Sequence, residues 1–106
     1  MVTIEDFRKL ELVIGEIKEV REHPNADRLY VLKVDTGKGE KQLVAGIRLF
    51  YGKEQLIGRR VVVVNNLEPA TIRGEVSEGM LLAATDEKGT SVLGADRDVQ
   101  LGSIVR

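Results

Sequence analysis

An all-β barrel of five strands is the fold class this sequence predicts, and three observations predict it. Five stretches, LVIGEIKEV, LYVLKV, KQLVAGI, RRVVVVNNL and GMLLAA, are rich in β-branched or alternating apolar residues. Turn formers separate them, HPNADR and TGKG being the clearest. Only one internal segment, RLFYGKEQLIG, can hold a helical turn, and it falls between the third and fourth stretches.

Taken in order, Thr3 before Ile-Glu-Asp reads as an N-cap with acids in the first turn, so a short helix is expected near residues 4–9. The first strand changes apolar phase around Gly15, from Leu12 and Ile14 to Ile17 and Val20, which predicts a bulge at that glycine. In the second, Tyr30, Leu32 and Val34 share one face, and Val31 and Lys33 share the other. TGKG, 36–39, joins the second and third strands as a hairpin. Gly58 is placed to stop the helical piece. Three strands, a helical segment and two more strands is the chain order of an OB-fold, the five-stranded Greek-key barrel. After Ala84 a turn-rich segment reads as an extension packed outside the barrel. The expectation is a single domain over 1–106, with the barrel at about 11–84 and the extension at 85–106.

Composition excludes several functions. Cysteine is absent, which removes disulfides, thiolate metal sites and cysteine nucleophiles. No apolar run is long enough to span a bilayer, and residues 1–20 lack the apolar centre of a signal peptide, so no membrane association and a cytoplasmic location are expected. The net charge of −1 hides a pattern. Residues 28–73 hold nine Lys/Arg against four Asp/Glu, whereas 1–27 hold four against seven and 74–106 three against six. A basic middle suits an anionic partner, although solvated faces alone could produce it.

Catalytic constellations are missing. His23 is the lone histidine, and Glu22 and Asp27 beside it make no ligand spacing, so no metal and no cofactor are expected. A Ser77–His23 pairing is the sole candidate for nucleophilic catalysis, and nothing local supports it. TGKGEK lacks the long loop and following helix of a nucleotide site.

Nucleic-acid binding fares better. OB-folds bind through strands 2 and 3 and the loops joining strands 1–2 and 4–5, here HPNADR and NNLEPATIRGEVSEG. That side carries Arg28, Lys33, Lys41 and Arg73 as cations, with Asn25, Asn65, Asn66 and Ser77 as neutral hydrogen-bonding groups. Tyr30 belongs to the core, and Phe50 and Tyr51 are expected to pack the helical segment against the barrel. With no stacking platforms left over, the pattern favours a folded nucleic acid, recognised by backbone and shape, over generic single strands.

HPNADRLYVLKVD, VAGI and VVVVNNLEPATIRGEVSEGMLLAA resemble, from about Phe7 to the C-terminus, the tRNA-binding OB-domain family. Its members include the carboxy-terminal domain of methionyl-tRNA synthetases, which the chain resembles most, the free-standing bacterial tRNA-binding protein and endothelial monocyte-activating polypeptide. The motifs are Asn25-Ala26-Asp27-Arg28-Leu29, then Asn66, Leu67 and Pro69, then Arg73, Gly74, Ser77, Gly79 and Met80. The resemblance implies structure-specific binding of tRNA without selection by sequence. It also implies a noncatalytic accessory role beside a methionyl-tRNA synthetase, in cis or in trans, and a homodimer to which the extension contributes. Ala45, Glu68 and Glu78 depart from the family's frequent serine, lysine and glutamine. The candidate tRNA-binding residues are therefore Asn25, Arg28, Lys33, Lys41, Asn66, Arg73, Ser77 and Met80. For Asn25 a turn-building role is an equal reading, and for Met80 a core position is. Arg73 can hold phosphate or pair with Glu75 or Glu78, phosphate being favoured. A protein-interaction or chaperone-like barrel is the alternative.

Overall fold

The computed structural model describes residues 1–106. Thr3 caps α1 (Ile4–Arg8) through a hydrogen bond from the Asp6 N–H to its hydroxyl at 3.1 Å, as the acid-rich first turn predicts. Strand β1 (Leu12–Glu22) pairs its first half with β4 (Arg60–Val64) and its second half with β2 (Tyr30–Asp35), and β2 pairs with β3 (Glu40–Ala45). The helical piece is α2 (Lys53–Leu56), followed by Gly58. Its Leu56 is fully buried among the barrel residues.

Two sequence expectations shift. The irregularity in β1 falls between Ile17 and Glu19, at Lys18, not at Gly15. Gly15 instead permits close approach: a Cβ there would lie 2.6 Å from Val34 Cγ1. The fifth strand divides into β7 (Met80–Leu81), paired with β4, and β8 (Ala83–Asp86), which leaves the barrel to pair with β9 (Gly89–Val92). The chain departs there because the Val62 N–H bonds the Leu93 carbonyl at 3.1 Å, so the stretch after β9 takes the place along β4. The long loop before β7 also holds a small hairpin, β5 (Ala70–Ile72) with β6 (Glu75–Ser77).

The sheet order is β3-β2-β1-β4-β7. Residues 76–79 bring its ends together. The Glu78 N–H donates to the Gln42 carbonyl at 2.7 Å, the Gln42 N–H to Glu78 Oε1 at 2.8 Å, and the Val44 N–H to Ser77 Oγ at 2.9 Å. Glu78, where the family that the sequence resembles often has glutamine, thus uses an acceptor oxygen that glutamine also has.

The run of four valines reflects a strand buried on both faces. Val61 and Val63 join Val13, Ile17, Leu32 and Leu43 inside the barrel. Val62 and Val64 join Leu12 and Ile14 on the outside, under Leu82, which follows β7, and under Val99, Leu101 and Val105 of the C-terminal segment. That segment is stitched to β1: the Ile14 N–H donates to the Ser103 carbonyl at 3.0 Å and the Val105 N–H to the Leu12 carbonyl at 2.9 Å. Arg60 holds it further through Asp98 at 2.7 Å, while also reaching Glu16 at 3.6 Å. The hydrogen bond from Lys18, aided by the Lys18 and Arg60 charges, keeps the Glu16 carboxyl below its ordinary 4.5 despite the opposing effect of desolvation.

Candidate nucleic-acid interface

The loop between β1 and β2 and the β5–β6 hairpin form one platform, and His23 fastens them. Its Nδ1 accepts the Asn25 N–H at 2.9 Å, so Nε2 carries the ring proton and donates to the Ile72 carbonyl at 2.9 Å. The imidazole is 3% exposed, and its two partners leave no place for a catalytic serine. An Arg21–Glu75 ion pair and a 3.0 Å hydrogen bond from Arg73 Nη2 to the Asn25 carbonyl complete the fastening. Beneath the loop, Arg48 pairs with Glu22 at 3.2 Å and donates to the Ala26 carbonyl at 3.2 Å.

The hairpin turn is Arg73-Gly74, with φ of 54° and 95°. Positive φ at both central residues matches the right-handed twist of paired strands, and glycine takes one of those positions without strain. The turn presents the Arg73 side chain beside the first loop. Asn25, Ala26, Asp27, Arg28, Leu29 and Arg73 together line a depression of about 440 Å³. Arg28 is exposed and has no intramolecular ion pair; Arg73 commits one terminal nitrogen to Asn25 and keeps its other N–H donors. Two guanidinium groups at one depression can grip adjacent phosphates.

The other candidates lie elsewhere. Lys33 is half-buried on the outer face of β2, opposite Glu19 and Gln42. Lys41, toward the far end of β3, donates to the Asn65 carbonyl at 2.5 Å. The Asn66 amide is used on both sides, accepting from the Glu11 N–H at 2.8 Å and donating to the Lys9 carbonyl at 2.7 Å. Ser77 is buried, accepting from Val44 and donating to the Gly79 carbonyl at 2.8 Å. Met80 is 48% exposed on the wall of an apolar cleft of about 450 Å³, with Leu67, Ile72 and Ile47.

Sequence reasoning missed His23 as the clamp, and Arg21, Arg48 and Glu75 as supports. The signal available was a lone imidazole in a turn; its acceptor, Ile72, is 49 residues away. Phe50, expected against the barrel, is 45% exposed beside Gly89. Tyr51 does pack, its hydroxyl accepting the Val92 N–H at 3.0 Å and its ring lying under Arg59.

Ser77→Ala is expected to destabilise the fold by about 1–3 kcal/mol, because the Val44 N–H and the Gly79 carbonyl lose their partner. Urea unfolding measures this. Stability within experimental error of the parent would contradict the closing role given to this hydroxyl.

Barrel, loops and cations define a class: a small OB-fold whose loop end sets two guanidinium groups at one depression. The chain belongs to the family described as "Putative tRNA binding domain", whose model matches residues 12–104. It is 50% identical over 105 residues to a methionine–tRNA ligase of Thermococcus onnurineus, an alignment covering 99% of this chain and 14% of that protein. The chain therefore spans about a seventh of the length of that relative. A MetRS-related protein from Pyrococcus horikoshii superposes with a TM-score of 0.92 at 29% identity, covering 100% of this chain and 98% of the other. The CsaA chaperone protein from Picrophilus torridus gives 0.94 at 32% identity, with both chains covered completely.

Proposed function

We propose that this chain is a noncatalytic, structure-specific tRNA-binding module that grips the phosphate backbone and does not select by sequence. It serves a methionyl-tRNA synthetase as a carboxy-terminal domain or as a separate subunit, in the cytoplasm. Family membership supports tRNA as the ligand. The observation that carries the site is the convergence of Arg28 and Arg73, from separate loops, on one depression backed by a buried clamp. Asn25 and the loop backbone supply neutral donors there, and Met80 extends the surface into the apolar cleft. Lys33 and Lys41 add positive field along the sheet, while Asn66 and Ser77 act from within by fixing the loop. The test is binding of the purified chain to folded tRNA and to an unstructured RNA of equal length, at low and moderate salt. Preference for folded tRNA with steep salt dependence supports the reading; equal binding to both RNAs sinks it.

The likeness to a protein named a chaperone gives a second reading, an apolar-peptide binder, and the cleft beside Met80 is the observation that favours it. Peptide binding without tRNA binding would establish it in place of the first.

A homodimer belongs to the same proposal. No residue of α1 is buried, and Ile4, Phe7, Leu10, Ile104 and Val105 line an apolar groove of about 380 Å³ that joins α1 to the C-terminal segment. Ile104 is 64% exposed. Phe7→Glu with Ile104→Glu is expected to convert a dimer to a monomer in sedimentation at micromolar concentration, with the barrel's circular dichroism retained. A parent protein that sediments as a monomer would remove the dimer.

A further inference from the structure

We propose that the apolar cleft beside the cationic loops is a nucleobase pocket that takes an unpaired guanine of the bound RNA, with Glu68 accepting from its N1–H and N2–H groups. This rests on the tRNA-binding reading for the source of the base and amends it at one point, adding selection of a single unpaired base to a grip on the backbone that is otherwise independent of sequence. Fifteen residues line the cleft, nine of them hydrophobic, and Glu68 is the single charged side chain among them. Such a wall repels phosphate. The sugar–phosphate chain would stay outside, where Arg73 directly follows the cleft residue Ile72.

A base suits the interior because its faces are apolar and its hydrogen-bonding groups lie on its rim. Met80 and Leu67, both more than a third exposed, offer thioether and aliphatic surface for a ring face. The Glu68 carboxylate is in no ion pair within the chain. An ionised carboxylate only accepts, through two oxygens side by side. Guanine alone among the four bases places two adjacent donors, N1–H and the N2 amino group, on its Watson–Crick edge. Adenine and cytosine set an acceptor beside their amino group, and uracil sets a carbonyl on each side of its N–H. The cleft therefore discriminates by edge as well as by shape.

An extended peptide would need free backbone groups along a strand to hold it. The β3 N–H groups of Gln42 and Val44, which face this side, are already taken by Glu78 and Ser77. That favours a base over a peptide.

The experiment is a titration of the isotope-labelled chain with GMP, AMP, CMP and UMP, followed by amide chemical shifts. GMP is expected to move the amides of Gly79, Met80 and Ala83 and to bind about tenfold more tightly than the other three. Glu68→Gln, which keeps the shape but sets a donor beside an acceptor, is expected to abolish that preference while its spectrum stays dispersed. Equal shifts from all four nucleotides would overturn the proposal. So would shifts confined to residues 25–29, the mark of a phosphate-driven interaction, or a guanine preference that survives in the variant. A peptide that moves the cleft amides when GMP does not would assign the pocket to protein ligands and equally overturn it. Folded-tRNA binding with no guanine preference sinks this inference alone. Guanine preference without tRNA binding sinks the reading on which it rests and leaves the pocket standing.

Discussion

Alanine at Arg28 and Arg73 together is expected to weaken binding of folded tRNA by about 3–6 kcal/mol, each charge-assisted hydrogen bond contributing roughly 1.5–3 kcal/mol. The two arginines are not equivalent. Arg28 has no ion-pair partner inside the protein, so its replacement removes a grip on the ligand and leaves the loop standing. Arg73 also ties the hairpin to the Asn25 carbonyl, so its replacement removes both the charge and one of the bonds holding the platform together. The single Arg73→Ala variant is accordingly expected to bind more weakly than Arg28→Ala. Arg73→Lys should recover the charge but not the bidentate grip. The plot of log binding constant against log salt concentration should also become shallower, by about 0.7–0.9 for each phosphate no longer neutralised. A double variant with unchanged slope would place the RNA on another face of the barrel.

Leu56→Ala is expected to lower stability by about 2–5 kcal/mol, the range for a fully buried leucine whose surroundings cannot collapse around the space. Leu56 is 0% exposed and is the one side chain of α2 that enters the core. The backbone around it is fixed by the Gly58 N–H on the Ile17 carbonyl at 2.8 Å and the Ile17 N–H on the Arg59 carbonyl at 3.0 Å, which restricts refilling. Chemical denaturation with an unchanged slope would isolate this effect. A loss under about 1 kcal/mol would mean that α2 is a loose cover and not a plug. The loops bearing Arg28 and Arg73 lie outside α2, so the fraction that remains folded should bind as the parent does.

Much of this architecture is legible in the sequence. β-Branched runs place the strands, the interposed helical piece places the chain order, and the paired loop motifs point to the family. What stays hidden is set by long-range hydrogen bonds. Strands β5 and β6 have three residues each, too short for alternation to register. Asn66 and Ser77 read as ligand groups because their partners are backbone atoms of distant segments, Glu11 and Lys9 for one and Val44 for the other. His23 reads as turn chemistry for the same reason. By contrast, Arg28 and Arg73 are legible because a long cation in a polar turn has few internal uses, and the platform brings these two together. Glu68 stands out in the sequence only as a departure that weakens a basic loop; its place in an apolar wall requires the fold.

The stitching of Val105 to Leu12 has a consequence for biosynthesis. Leu12 leaves the ribosome near the start of this segment and its hydrogen-bond partner near the end. The outer valine face of β4 has only Leu82 over it until residues 99–105 arrive. The inner barrel can assemble earlier, since Leu81 completes its cluster. Folding during translation is therefore expected to pause at a barrel with one open apolar flank, the interval in which a chaperone or a second nascent chain has most to bind.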